Sequence, residues 1–176
     1  MPKVIFRNIR ESDLETIRAW RNSPNIARNM FSSNKITEEQ QYEWYKSVYR
    51  GERGYCWFVE CNEGPVGYAS LSRAERAGDT YEFGLYIGNQ NLAGQGYGKA
   101  ILLGLFHQAF NKLNAHKVIC EVLSFNSTAI RLYERCGMHR QGYFKDYLKR
   151  DNDRIDCISY AIFKDEWDKL CNDLIK

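Results

Sequence analysis

The stretch from Thr80 to Leu113 constrains this chain more than any other. Thr80 to Ile87 is rich in β-branched and aromatic residues and reads as a strand. Gly94, Gly96 and Gly98 then alternate with Gln95 and Tyr97. From Lys99 to Leu113, the apolar residues Leu102, Leu105, Phe106, Ala109 and Leu113 keep helical spacing. A strand that passes through a glycine loop into a helix N-terminus makes an anion site. Glycine lets the backbone come close to a phosphate, the first amides of a helix lack partners, and the helix dipole favours negative charge. The plainer reading is a glycine-rich turn. Neither familiar nucleotide loop fits. In a P-loop Gly94 and Gly98 would stand further apart, and Ser or Thr would replace Ala100 after Lys99. A dinucleotide fingerprint needs glycine at the position of Lys99, and no acidic residue follows at a ribose position.

The rest of the chain narrows the classes. A length of 176 residues suits one domain, expected to span residues 1–176 with a substantial core. A net charge of +3, with basic residues dense only from Lys145 to Arg154, argues against broad nucleic-acid binding but tolerates an anionic cofactor. The cysteines Cys56, Cys61, Cys120, Cys136, Cys157 and Cys171 form no C-x-x-C pair, and His107, His116 and His139 add no zinc spacing, so no metal is expected. Several of these cysteines fall in apolar runs, where buried free thiols are expected. No signal peptide or membrane-length apolar run is visible, which predicts a cytoplasmic chain with reduced thiols and no membrane partner.

Taken in order, Val4 to Asn8 reads as a first strand. Ser12 or Asp13 caps a helix to about Asn22, with Leu14, Ile17 and Trp20 on one face. Asn22-Ser23-Pro24-Asn25 stops it, and Thr37 with Gln40 makes a capping box for a helix to about Tyr49. Tyr55 to Cys61 and Val66 to Ser72 read as antiparallel strands around a turn at Asn62 to Pro65. A polar turn at Arg73 to Asp79 leads to the Thr80 strand, completing a meander. His116 to Val122 is an apolar strand that can return parallel to Thr80–Ile87, because a helical crossover separates them. Asn126 to Cys136 is a short helix with Ala129, Leu132 and Tyr133 inward, stopped by Gly137. Met138 to Phe144 and Arg154 to Phe163 form a hairpin around Lys149–Asp153, and Lys164 to Ile175 closes the chain as a helix.

Two motifs stand in a telling order: Asn91-Leu92-Ala93-Gly94-Gln95-Gly96-Tyr97-Gly98-Lys99 behind a strand, then Asn126-Ser127-Thr128-Ala129-Ile130-Arg131-Leu132-Tyr133 running on to Gly137-Met138. Together they resemble the GNAT superfamily of N-acetyltransferases, whose signatures are Arg/Gln-x-x-Gly-x-Gly/Ala and Asn-x-x-Ala-x-x-Leu-Tyr ending in Gly-Phe. Asn91 stands where Arg or Gln is usual, and Met138 where Phe is usual. The resemblance implies an α/β (α+β) GNAT fold. Its mixed central sheet of about seven strands would be an antiparallel meander plus a splayed parallel pair, flanked by helices. It also implies acetyl-CoA as cosubstrate. The amides of Gly94, Gln95, Gly96, Tyr97, Gly98 and Lys99 would hold the pyrophosphate. Ile87 would offer a backbone donor to the thioester carbonyl, and Asn126 would bond the cofactor beside the splay. Asn126 could equally serve as a plain helix cap.

Acetyl transfer to an amine needs a neutral amine, a stabilised oxyanion and a proton for the departing thiolate. Tyr133 matches the family's general acid, since a phenol of pKa about 10 holds its proton at neutral pH. Its alternative role is packing. Glu82, on one strand face with Gly84 and Tyr86, and Glu121, on the next strand, are both candidate bases, with a water relay as a third route. The resemblance implies that the N-terminal helical pair forms the acceptor side. Its Trp20-Arg21-Asn22, Arg28-Asn29-Met30-Phe31 and Trp44-Tyr45 look like the branch that acetylates the 4-amino group of UDP-linked amino sugars in pseudaminic acid synthesis. Arg21 or Arg28 would hold a diphosphate, and Phe31, Trp44 or Tyr45 would stack on a base. Solvated arginines and packed aromatics are the bland counterpart. The alternative acceptors are a ribosomal-protein N-terminus or a polyamine. A reading of another class is a CoA-binding module without turnover. The resemblance implies a small-molecule amine acceptor, and the chain is expected to act as a monomer or homodimer.

Overall fold

The computed structural model describes residues 1–74 and 78–175. Its strands are β1 (Ile5–Asn8), β2 (Tyr55–Cys61), β3 (Gly64–Arg73), β4 (Thr80–Ile87), β5 (Lys117–Leu123), β6 (His139–Arg150) and β7 (Asp153–Phe163). Its α-helices are α1 (Leu14–Asn22), α2 (Pro24–Ala27), α3 (Glu38–Tyr49), α4 (Tyr97–His107), α5 (Ser127–Arg135) and α6 (Lys164–Ile175). The strands form a sheet in the order β1-β2-β3-β4-β5-β7-β6. β1 and β3 flank β2 antiparallel, β4 and β5 are parallel, and β7 lies antiparallel between β5 and β6. This is the expected meander joined to a parallel pair through a helical crossover. The parallel register pairs Thr80 with Lys117, Tyr81 with Val118 and Glu82 with Ile119, and β4 then continues to Ile87.

Most element ends follow local chemistry. Thr37 Oγ1 accepts from the Gln40 N–H at 3.3 Å, and Gln40 Oε1 accepts from the Thr37 N–H at 3.0 Å, closing the expected capping box of α3. The cap expected for α1 is different. Glu11–Asp13 form a 3₁₀ turn, and no side chain caps α1. Asp13 instead accepts from the Arg10 N–H at 2.7 Å and takes two hydrogen bonds from Arg7, at 2.6 and 2.9 Å. The Arg7 guanidinium gives the carboxylate two charge-assisted bonds from an opposite charge, where a cap would give it a backbone N–H. The helix expected from Lys99 begins two residues earlier, at Tyr97, and Gln108–Lys112 open into a π turn. A left-handed Gly96 (φ 87°) ends the loop there, and one glycine in a first turn is tolerated. β6 outruns the expected Met138–Phe144 because bulges absorb its irregular stretch. The turn expected at Arg73–Asp79 includes residues 75–77, which lie outside the described residues.

The chain divides into two compact units. The first, Met1–Ser72 with Phe83–Leu105, is built on Ile9, Ile17, Cys56 and Phe58, with Leu14, Trp20, Trp44, Tyr45, Val48 and Tyr68 packed against them. Trp20 stacks on Phe58 at 5.4 Å and covers Gly88, where a Cβ would fall 2.0 Å from the indole. The second unit, Arg73–Glu82 with Phe106–Lys176, buries Val118, Ala161 and Ile162 completely. It stacks Phe110 on Trp167 at 6.2 Å, and the indole N–H donates to Asn111 Oδ1 at 2.8 Å. No helix among the described residues is long and apolar enough to cross a membrane.

Candidate active site

In the first unit, β4 ends under firm control. The Gly88 and Asn89 N–H groups both donate to the Val66 carbonyl, at 2.9 and 3.1 Å, and the Ile87 carbonyl accepts from Gln90 Nε2 at 3.0 Å. A short 3₁₀ turn, Gln90–Leu92, follows, and Asn91 is fixed from both sides. Its N–H donates to Asn89 Oδ1 at 3.2 Å, and its carbonyl accepts from Gln95 Nε2 at 2.8 Å. Gly94 (φ 77°) and Gly96 (φ 87°) are left-handed, so glycine is demanded by the backbone itself. A Cβ at Gly94 would meet nothing within 4 Å, and one at Gly96 only Pro2, at 3.4 Å or more. The first helical bond of α4 runs from the Ala100 N–H to the Gly96 carbonyl at 3.1 Å. Among the described backbone bonds, none is donated by Gly96, Tyr97, Gly98 or Lys99. Gly94, Gln95, Gly96 and Lys99 are exposed. This is a row of open amides at a helix N-terminus, able to hold a phosphate. The Tyr97 ring is buried, and its hydroxyl bonds the Cys61 thiol, which pushes the phenol up to about 12. Tyr97 thus offers the loop its backbone and anchors it with its ring.

Arg21, also in the first unit, is unusual. Its Nη2 donates to the Ser32 carbonyl at 2.6 Å, while its Nη1 is buried without a hydrogen-bond partner. Burial lowers the pKa of its guanidinium, and the group it feels is the Tyr86 phenol, itself raised by burial. Tyr86 stacks on Tyr68 at 5.3 Å, and Trp44 tilts against Tyr68 at 6.0 Å. Trp44 and Tyr45 are half-buried against the core cluster, whereas Arg28 and Phe31 are exposed. Tyr68 was not singled out from sequence. The signal was available: alternation puts Tyr68 and Ser70 on one face of β3, as it puts Gly84 and Tyr86 on one face of β4, and Gly84 lies against Ser70.

In the second unit, α5 carries Tyr133 and is capped by Asn126, whose Oδ1 accepts from the Ala129 N–H at 3.2 Å. The side-chain amide N–H₂ of Asn126 is a donor group that the cap does not use. Tyr133 is buried, packs edge-on to Tyr160 at 5.9 Å, and its hydroxyl bonds the Cys120 thiol. Burial, then the Cys120 thiol, raise its phenol far above the usual value. Glu82 is exposed, yet surrounding protein thins the water about it, and with the like charge of Glu121 this raises its carboxyl. Glu121 accepts from the Tyr147 hydroxyl at 3.0 Å. Cys120 and Tyr147 carried no sequence signal; Tyr147 lies in a polar stretch beyond the expected end of its strand. Among the described residues no cluster of His, Cys, Asp and Glu could hold a metal ion.

Comparison with known proteins places the chain in a family. A family model described as an acetyltransferase (GNAT) domain matches residues 3–139. The chain is 31% identical over 88 residues to the uncharacterized N-acetyltransferase YnaD of Bacillus subtilis, covering 50% of this chain and 51% of that one. It spans about half the length of YnaD, and 28% of an uncharacterized Methanocaldococcus jannaschii protein that it also matches. The L-amino acid N-acetyltransferase AaaT of Escherichia coli is 21% identical over 93% of this chain and 100% of its own. The crystal structure of a spermidine N-acetyltransferase from Vibrio cholerae, in complex with CoA and spermine, superposes with a TM-score of 0.86 at 21% identity, over 93% of this chain and 97% of that chain.

Proposed function

The chain belongs to the GNAT acetyltransferase family, and from that premise we propose that it transfers an acetyl group from acetyl-CoA to an amine that also carries an anionic group. The 4-amino group of a UDP-linked amino sugar is our first choice of acceptor. Acetyl-CoA supplies the acetyl group as a thioester. The open amides from Gly96 to Lys99 would hold its pyrophosphate. Ile87, beyond the last β4–β5 pair, would give a backbone donor to the thioester carbonyl, and Asn126 would donate from its free amide group. The acceptor ammonium gives one proton to Glu82 on its way to solvent. Tyr133 gives its hydroxyl proton to the departing sulfur and is restored by the second proton that the nitrogen sheds as the C–N bond forms. Burial keeps Tyr133 protonated until that moment, and a raised Glu82 is better matched to an amine.

The observation that favours an anionic acceptor is Arg21. A half-buried guanidinium whose Nη1 is out of water without a partner is costly, and an anionic ligand would relieve it. A phosphate or carboxylate would complete its fork, with Trp44, Tyr68 and Tyr86 as the adjacent aromatic wall. One observation favours the second reading, a polyamine: Glu82 and Glu121 are close enough to repel, and an ammonium would relieve that. An acceptor panel decides between them. CoA release should be fastest with UDP-4-amino-sugar, and UDP should compete with it. Rapid turnover of spermidine or an N-terminal peptide, without inhibition by UDP, would overturn the anionic reading.

A further inference from the structure

β6 carries an irregularity whose product is one side chain. Phe144 pairs with Cys157 and Leu148 with Ile155, so Lys145, Asp146 and Tyr147 stand opposite Asp156 alone. The bulge is built rather than loose. Asp156 Oδ1 accepts from the Asp146 N–H at 2.8 Å, Asp156 Oδ2 accepts from the Tyr143 hydroxyl, and Asp146 takes a left-handed φ of 53°. Its effect is to send the Tyr147 hydroxyl past β7 to Glu121 on β5, at 3.0 Å. A bulge of this kind re-aims a side chain that a regular strand would leave in step with its neighbours.

We propose that Tyr147 is a positioning residue for the acid–base step: it holds Glu121 as a hydrogen-bonded carboxylate and so leaves Glu82 to take the proton from the acceptor amine. This rests on Glu82 being the base. Glu82 and Glu121 sit on adjacent parallel strands, two residues out of register on β5, since Glu82 pairs with Ile119. The titratable groups around Glu121 are Glu82 on β4, Tyr147 on β6 and Cys157 on β7, with Cys120 beside it on β5. Of these, Tyr147 is the group that donates a hydrogen bond to the Glu121 carboxylate, at 3.0 Å. That phenol is itself raised, first by its bond to Glu121, and stays a donor at neutral pH. A hydrogen bond to a carboxylate favours its ionised form, and burial with the neighbouring Glu121 raises Glu82, so Glu82 is the member of the pair suited to take the proton.

Two measurements on Tyr147→Phe, Glu121→Gln and the double variant test this. The first is a carbon-13 carboxyl titration of the ligand-free protein, which needs neither acceptor nor turnover. Tyr147→Phe should move the pair's first proton uptake to higher pH, by up to about one pH unit, the tenfold change an ordinary hydrogen bond is worth. Glu121→Gln should move the Glu82 midpoint to lower pH, because the neighbouring charge is gone. The double variant should match Glu121→Gln, since Tyr147 acts only through Glu121. The second is the pH profile of kcat/KM, whose acidic limb should shift in the same directions. An unmoved titration in Tyr147→Phe, or a double variant unlike Glu121→Gln, overturns the proposal. A shifted titration with an unshifted acidic limb overturns it too, by removing Glu82 as the base, and leaves the acceptor class to be decided by UDP competition.

Discussion

A phenol as buried as Tyr133 stays protonated at neutral pH, which suits the proposed role of proton donor at the moment of reaction. Tyr133→Phe removes that proton and little volume. The expected result is a fall in kcat of about 10²- to 10⁴-fold, with acetyl-CoA affinity nearly unchanged by calorimetry. Near-normal turnover would return Tyr133 to a packing role against Tyr160. Arg21 makes the complementary case for the proposed acceptor side. A guanidinium–phosphate contact is worth about 1.5–3 kcal/mol, roughly ten- to more than a hundred-fold in acceptor KM where KM tracks binding. Arg21→Ala should raise the KM for an anionic acceptor by that factor and leave the KM for acetyl-CoA alone. Arg21→Lys keeps the charge but not the fork, and should recover only part of the loss. An unchanged acceptor KM in both variants would make Arg21 a structural residue that serves Ser32.

At the scale of elements, the loop before α4 and the turn before α1 respond to different forces. Gly96 needs a left-handed backbone, and under the proposed cofactor role the loop amides also need room for a phosphate. Gly96→Val meets both obstacles and should lower both thermal stability and acetyl-CoA affinity. Gly96→Asn tolerates the left-handed φ, so it should restore most of the stability and less of the affinity. Full recovery of affinity by Asn would leave backbone conformation as the whole role of Gly96. The Arg7–Asp13–Glu60 cluster ties β1, the 3₁₀ turn and β2 together, with Arg7 also 4.4 Å above the Phe58 ring. Burial pushes the Asp13 carboxyl up, but the bonds from Arg7 and the Arg10 N–H outweigh it and hold its pKa below the usual range. A depressed carboxyl contributes stability that is fully present above the unfolded pKa and lost as pH falls through the folded value. Asp13→Asn should therefore destabilise the chain by about 1–3 kcal/mol at pH 7 and by progressively less in acid. Equal destabilisation at every pH would show that packing, not charge, is what Asn fails to supply.

Across the whole molecule, what was legible in the sequence is what acts locally. The glycine loop, the Thr37 box, the Gly137 stop and the strand-like runs depend on neighbours a few residues away, and the meander, the parallel pair and the last hairpin followed from them; the place of β1 beside β2 and of β7 between β5 and β6 did not. The burial of Arg21 beside Tyr86 and the reach of Tyr147 to Glu121 depend on residues far along the chain, and periodicity carries no trace of them; alternation gives the faces of Tyr68 and Tyr86 but not their stacking. The cysteines lie between these cases. Apolar runs implied buried free thiols, and all six are free, with Cys56, Cys120, Cys136 and Cys157 buried and Cys61 and Cys171 half-buried. Thiol reactivity needs both access and a thiolate. Burial raises Cys56 and Cys120, and raises Cys157 to about 11, so these react slowly even when the chain breathes; the Cys171 thiol is raised by burial as well, and only its access sets it apart. A disulfide reagent at neutral pH should therefore label at most Cys61 and Cys171 quickly in the native protein, and the other four in step with loss of tertiary structure. The two fast sites should also differ in consequence. Blocking Cys61 removes the partner of the Tyr97 hydroxyl at the first residue of α4, so acetyl-CoA affinity should fall; blocking Cys171, on α6, should leave it unchanged. Mass-spectrometric mapping of the labelled sites, paired with calorimetry on each singly blocked form, checks both points. Rapid labelling of Cys120 in the folded chain would instead mean that the hydrogen bond to Tyr133 opens freely to solvent, and that the acid would be poorly held for its task.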